Sequence, residues 1–198
     1  MEHNTTQDLK VKNLELFKKK LNEVGVDTAI LFEKYGKLIS DGTYSFSPKD
    51  NTACGEGKLL NTILRVLTPI AVNINKILPE EKQVDKNSIV KVCLLSQISK
   101  AVMVSPNTNQ WEIENRGLLY KFNETQCALK MGMRSVAMCM ESGITLTETE
   151  LEALSNLDRE EDKQTKYFSS TLSVILKQAT ELTEIANKTK NGTTEQKD

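Results

Sequence analysis

The stretch "VKVCLLSQISKAVMV" (Val90–Val104) is an apolar helical run interrupted by Ser96 and Gln97. Apolar residues occupy most sides of it, which predicts a helix of the interior rather than of the surface. The polar pair falls where the surrounding pattern looks built around a reactive couple. Upstream, Ser88 is placed to cap this helix, which should run to about Lys100 or Val102. Before it, "KLLNTILRVLTPIAVNINKIL" (Lys58–Leu78) is another interior helix, with Pro69 expected to kink or break it. These two helices form the expected core, joined by the solvated loop "PEEKQVDKN".

Working outward, Asp8–Glu23 and Thr28–Lys37 have helical spacing and are separated near Gly25. "DGTYSFSPKDNTACGEG" (Asp41–Gly57) is rich in Gly, Ser, Asn and Pro, so it predicts a long loop with a short turn after Pro48. "WEIENRGLLYKF" (Trp111–Phe122) alternates around Asn115, Arg116 and Gly117, a β-hairpin signature. "QCALKMGMRSVAMCMESG" returns to helix and stops at Gly143. Thr147 with Glu150 three residues on predicts a capping box opening a helix to about Leu157. A last amphipathic helix carries Phe168, Leu172, Ile175, Ala179, Leu182 and Ala186 on one stripe. The expected organisation is N-terminal helices over 1–43, a helical core over 44–186 and a polar tail over 187–198, and the expected fold class is mainly α with one small β-hairpin at about 111–122.

The chain has 198 residues, long enough for one sizeable core. Lys and Arg total 26 against 27 Asp and Glu, a formal net charge of −1, so no strong field exists to attract nucleic acid or an anionic membrane. No apolar run approaches the roughly 18 residues that span a bilayer, and "MEHNTTQDLK" lacks the layout of a signal peptide, so a cytosolic origin is expected. Cys54, Cys93, Cys127 and Cys139 have spacings unlike CxxC and predict reduced thiols. His3 is the single histidine, which leaves Ser–His or Cys–His catalysis without a base. "CGEGK" (Cys54–Lys58) lacks the Walker spacing, with Leu59 where a Ser or Thr would follow. The pairs Glu112/Glu114 and Glu160/Glu161 predict surface charge rather than an acid and a base.

The order of the motifs resembles the HD-domain superfamily of metal-dependent phosphohydrolases, especially small bacteriophage-encoded members. "EGKLLNT" (Glu56–Thr62), "LLSQISKA" (Leu94–Ala101), "WEIENRGLLYKFNE" (Trp111–Glu124), "MGMRS" (Met131–Ser135) and "LTETELEAL" (Leu146–Leu154) carry the resemblance, over about Tyr44–Ala186. It implies an HD-like helical bundle. It also implies where metal ligands would stand, and there the residues differ. Thr62 takes the place of the first histidine, Ser96 and Gln97 that of the His-Asp doublet, and Met131 and Met133 those of the later histidine and its acid. Leu157 stands where another histidine is often found, and Thr180 near the last aspartate. A hydroxyl, an amide and thioethers do not replace imidazole and carboxylate on a divalent metal.

The expectation is therefore a catalytically inactive protein with no cofactor and no metal, serving as a phage structural or assembly part. It would be a component of the virion head, neck or tail, assembled in the host cytoplasm through contacts with virion proteins or itself. The Trp111 hairpin and the polar ends, Met1–Gln7 and Asn187–Asp198, are candidate contact segments. The alternative is a metal-free binder of nucleotides or other phosphorylated ligands, using Lys100, Arg134 and backbone amides of the Glu56 loop. Lys100 and Arg134 would otherwise cap helices or form surface ion pairs.

Overall fold

The computed structural model describes residues 2–49, 51–123, 128–158 and 169–188, with side chains from residue 7 onward. Cys127, Glu160, Glu161, Phe168 and the tail from residue 189 lie outside them. The described residues are mainly helical with one two-stranded antiparallel sheet.

Helices α1 (Glu2–Glu23) and α2 (Ala29–Asp41) form an opening hairpin. Gly25 makes the turn at φ +80°, a left-handed conformation that suits a residue without Cβ. Phe17 and Phe32 meet edge to face with ring centroids 6.0 Å apart. The pair packs on later helices, and Phe17, Leu21 and Leu31 are fully buried in a hydrophobic cluster shared with the rest of the chain.

The expected helix over 58–78 is present in three joined pieces: α3 (Lys58–Thr62), a π-helical turn (Ile63–Leu67) and α4 (Thr68–Ile77). The widened turn lies directly ahead of Pro69, which has no N–H to give and whose ring would otherwise meet the carbonyl four residues back. The Thr68 hydroxyl and the Thr68 backbone N–H both donate to the Ile63 carbonyl, the former at 2.8 Å. The next interior helix, α5 (Lys86–Ser96), starts earlier than Ser88 would allow as a cap. Asp85 is the capping residue, and its carboxylate accepts from the Ser88 N–H at 3.0 Å. This helix also ends earlier than expected, at the polar pair. Gln97 leaves helical geometry and the short α6 (Lys100–Met103) follows, with every residue from Val92 to Lys100 buried.

The hairpin joins β1 (Val104–Pro106) to β2 (Tyr120–Phe122), with Val104 opposite Phe122 and Pro106 opposite Tyr120. Its second strand lies inside the expected 111–122, but its first lies before it. The Trp111 segment is a π-helical turn, Glu112–Arg116. Local bonding by asparagines accounts for the difference. Asn107 Oδ1 accepts from the Asn109 N–H, while its Nδ2 donates to Glu112 Oε2 and the Leu118 carbonyl. Asn109 in turn accepts from the Glu112 N–H, so the chain coils between the strands.

Helix α7 (Met131–Glu141) ends before Gly143, at φ +71°, as expected. Helix α8 (Glu148–Ser155) opens with the predicted capping box: the Thr147 hydroxyl accepts from the Glu150 N–H, and the Glu150 carboxylate accepts from the Thr147 N–H. Helix α9 (Thr171–Asn187) packs against α4, α5 and α8 and closes the bundle. Its buried stripe runs through Leu172, Ile175, Leu176 and Ala179 to Thr183 and Asn187. Leu182 and Ala186, expected on that stripe, are exposed instead. Thr183 and Asn187 tolerate burial because their side chains donate to the carbonyls of Ala179 and Thr183 one turn back, at 2.7 and 2.8 Å. No helix of the described residues is long and apolar enough to cross a membrane. Cys54, Cys93 and Cys139 are free thiols.

Candidate functional site

The break at Gln97 decides what faces the interior beside α9. Ending α5 there and restarting at Lys100 aims the Lys100 side chain inward, leaving it 9% exposed. The long loop Gly42–Gly57 brings Tyr44 to meet it. The Lys100 ammonium donates to the Tyr44 carbonyl at 2.8 Å and lies 3.5 Å from the centroid of the Tyr44 ring, a cation–π contact. Glu184 of α9 supplies the countercharge, with Oε1 3.8 Å from Nζ, too far for a hydrogen bond.

The loop is tied to α9 as well. Asn51 Nδ2 donates to Glu184 Oε2 at 3.2 Å, and the Thr52 N–H donates to the Asn187 carbonyl at 2.7 Å. Asn187, expected to begin the tail, is thus the buried last residue of α9. The turn after Pro48 is present, closed by the Asn51 N–H on the Ser47 carbonyl.

Tyr44, Lys100 and Glu184 line a cavity of about 220 Å³ together with Ser45, Phe46, Met103, Val104, Phe122 and Met131. Phe46 and Phe122 pack with centroids 4.8 Å apart, and Phe122 is exposed at the rim. Burial pushes the Lys100 amine down to about 8, against the opposing pull of Glu184 and Asp158. Burial, helped by the Glu184 charge, pushes the Tyr44 phenol up.

The positions singled out in the sequence do not converge on one point. Met131 and Lys100 line the cavity. Thr62, Ser96 and Gln97 are buried in the core without reaching it, and Leu157 packs half-buried against that core. The Ser96 hydroxyl donates to the Cys93 carbonyl at 3.0 Å, and the Thr180 hydroxyl to the Leu176 carbonyl at 2.9 Å. Met133 points outward, 42% exposed. Arg134 lies outside the cavity, close enough to Tyr35 of α2 for its charge to bear on that phenol.

The Glu56 loop turns its amides inward: those of Gly55, Gly57, Lys58 and Leu59 donate to Thr43 Oγ1, Asp41 O, Gly55 O and Gly42 O. The Glu56 carboxylate is engaged by Lys10. Sequence reasoning had named Lys100 but missed Tyr44 and Glu184, which complete its surroundings. Glu184 carried a signal, one turn after Thr180 on the same helix.

The donor set does not fit a divalent metal. Hydroxyls bonded to their own helix carbonyls and a thioether are poor ligands, and among the described residues no group of His, Cys, Asp and Glu could hold one. No family model, curated protein or solved structure matches the chain.

Proposed function

We propose that this chain is a non-catalytic, HD-like helical protein that works through protein–protein contacts as a structural or assembly part of a bacteriophage particle, put together in the host cytoplasm. The observation that carries the non-catalytic half is the fate of the ligand positions. Ser96 and Thr180 spend their hydroxyls on carbonyls of their own helices, and Gln97 sits 1% exposed in the core. A fold can outlast the chemistry once grafted on it. The phage assignment rests on the resemblance in motif order. Exposed apolar side chains support a role in contacts: Trp111 at the helical turn between the strands and Phe122 on β2, at 62% and 57% exposure, and Leu182 and Ile185 on the outer face of α9.

The second reading, a metal-free binder of phosphorylated ligands, is favoured by the Lys100 cavity alone. Glu184 already balances that charge, Arg134 stands elsewhere, and the Glu56 loop amides named above are occupied. A polyanion such as a nucleotide finds little there.

Gradient-purified phage particles tested by mass spectrometry decide the main reading. The expected result is this chain at a fixed copy ratio to the other virion proteins. Its absence from particles, or stoichiometric Mn²⁺ uptake with nucleotide hydrolysis by the purified chain, overturns it. A thermal shift of several degrees with millimolar nucleotide, lost in Lys100→Ala, would instead establish the second.

A further inference from the structure

The cavity beside α9 sets a buried amine against a largely apolar wall. Its floor is a primary amine whose sole hydrogen bond among the described residues is the one to the Tyr44 carbonyl, and whose partner carboxylate stands off at 3.8 Å. Its walls are Phe46, Met103, Val104, Phe122 and Met131 with Ser45 as the one small polar residue among them, and its volume of about 220 Å³ suits a small molecule rather than a nucleotide. Because Glu184 already neutralises the ammonium, the spare N–H donors of Lys100 favour a neutral acceptor, a carbonyl oxygen, over an anion.

We infer that Lys100 is a carbonyl-reactive amine, and that the cavity takes small apolar aldehydes, which it holds as an imine. In the step, the neutral amine's lone pair attacks the carbonyl carbon and a C–N bond forms. The nitrogen gives up a proton and the oxygen gains one, with the half-exposed Glu184 carboxylate placed to relay it. The carbinolamine then loses its hydroxyl together with the remaining N–H proton as water, the C–O bond breaks, and the nitrogen lone pair closes the C=N bond. No oxidant or reductant is consumed. Burial raises the neutral fraction of the amine near neutral pH, while most of it stays protonated below about 8, and the apolar wall disfavours the returning water. Among the described residues, the charged or titratable groups that bear on Lys100 are Glu184 from α9, Tyr44 from the loop and Asp158 after α8.

The test is site-resolved labelling of the full chain by butanal at pH 7.5, with cyanoborohydride to reduce each imine to a stable secondary amine. Peptide mapping separates Lys100 from the chain's terminal amine, whose ordinary pKa is also near 8. At this pH the neutral fraction of Lys100 exceeds that of an ordinary lysine on the order of a hundredfold, which leaves room for slower access. The expected result is labelling of Lys100 at least about tenfold faster than exposed Lys19 and Lys37, with the preference abolished in urea. A smaller preference in the folded chain, or one that persists in urea, overturns the proposal.

Discussion

The Lys100 ammonium and the Glu184 carboxylate form an unequal pair: 3.8 Å separates them, but the lysine side chain is 9% exposed and the glutamate 42%. The carboxylate keeps much of its water, so it returns less to the amine than burial takes away, and the amine is held down at about 8. Below that pH the amine is protonated in both the folded and unfolded chain, and the burial cost is felt in full. Between about 8 and 10.5 the unfolded chain keeps a proton that the folded chain has released, so stability rises with pH. Measured by urea unfolding from pH 7 to pH 10, the difference between the natural chain and Lys100→Met should move in favour of the natural chain by about 2–3 kcal/mol. A flat difference would mean that the amine titrates as if it were in water.

Gln97 is the opposite case, a buried polar side chain whose amide nitrogen and oxygen both lack a protein partner among the described residues. Replacing both ends of an unmade interaction with an apolar chain of similar length removes a desolvation cost and adds no new one. Gln97→Met should raise the stability of the chain by about 1–2 kcal/mol, read as an upward shift of the denaturant midpoint at unchanged slope. A loss of that size would show that the amide is bonded after all and that the break between α5 and α6 depends on it.

The buried pair of Lys91 and Glu150 fastens α5 to α8. Lys91 donates to Glu150 Oε2 at 2.7 Å and to the Thr145 carbonyl at 2.8 Å, and the glutamate side chain is 4% exposed. Burial pushes the Glu150 carboxyl up, but hydrogen bonds from Lys91 and the Thr147 N–H outweigh it and hold the group below its ordinary range. Its contribution is therefore present above the unfolded pKa of about 4.3 and is lost as pH falls through the lower folded value. Lys91→Met strands a charge and should cost about 3 kcal/mol at pH 7; adding Glu150→Gln, which can keep the capping box, should recover part of it. Additive losses in urea unfolding of the two single variants and the double would contradict this coupling.

Local chemistry was legible in the sequence, and the misreadings share a physical cause. The Thr147 capping box and the Gly143 stop were read correctly because each is settled within about four residues. The start of α5 was misplaced because Asp85 and Ser88 are both capping residues, and only the bonded geometry separates them. The first strand of the hairpin was missed because Val104–Pro106 continues an apolar helical run and its partner is well separated in sequence. On α9 the inner stripe was read through Leu182 and Ala186 by hydropathy, whereas Thr183 and Asn187 bury themselves by bonding carbonyls one turn back. That register is also what turns Glu184 toward Lys100. The site was half visible for the same reason: Lys100 stood out in a motif, but Tyr44 and Glu184 reach it from distant parts of the chain.

Gly132 offers the sharpest test of how α7 meets α8. A Cβ built on it would lie 2.1 Å from the Leu154 carbonyl oxygen, a backbone atom that cannot swing aside. The close approach is held by the Gly132 N–H, which donates to Asp158 Oδ2 at 2.6 Å and so lets a residue just beyond α8 cap the start of α7. Gly132→Ala must part the two helices and weaken that cap, and should cost about 3 kcal/mol or more. Gly143→Ala provides the comparison, since a Cβ there meets open space and the substitution carries only the strain of its positive φ, about 1 kcal/mol. Equal losses in the two variants by urea unfolding would mean that α7 and α8 are not pressed together at Gly132.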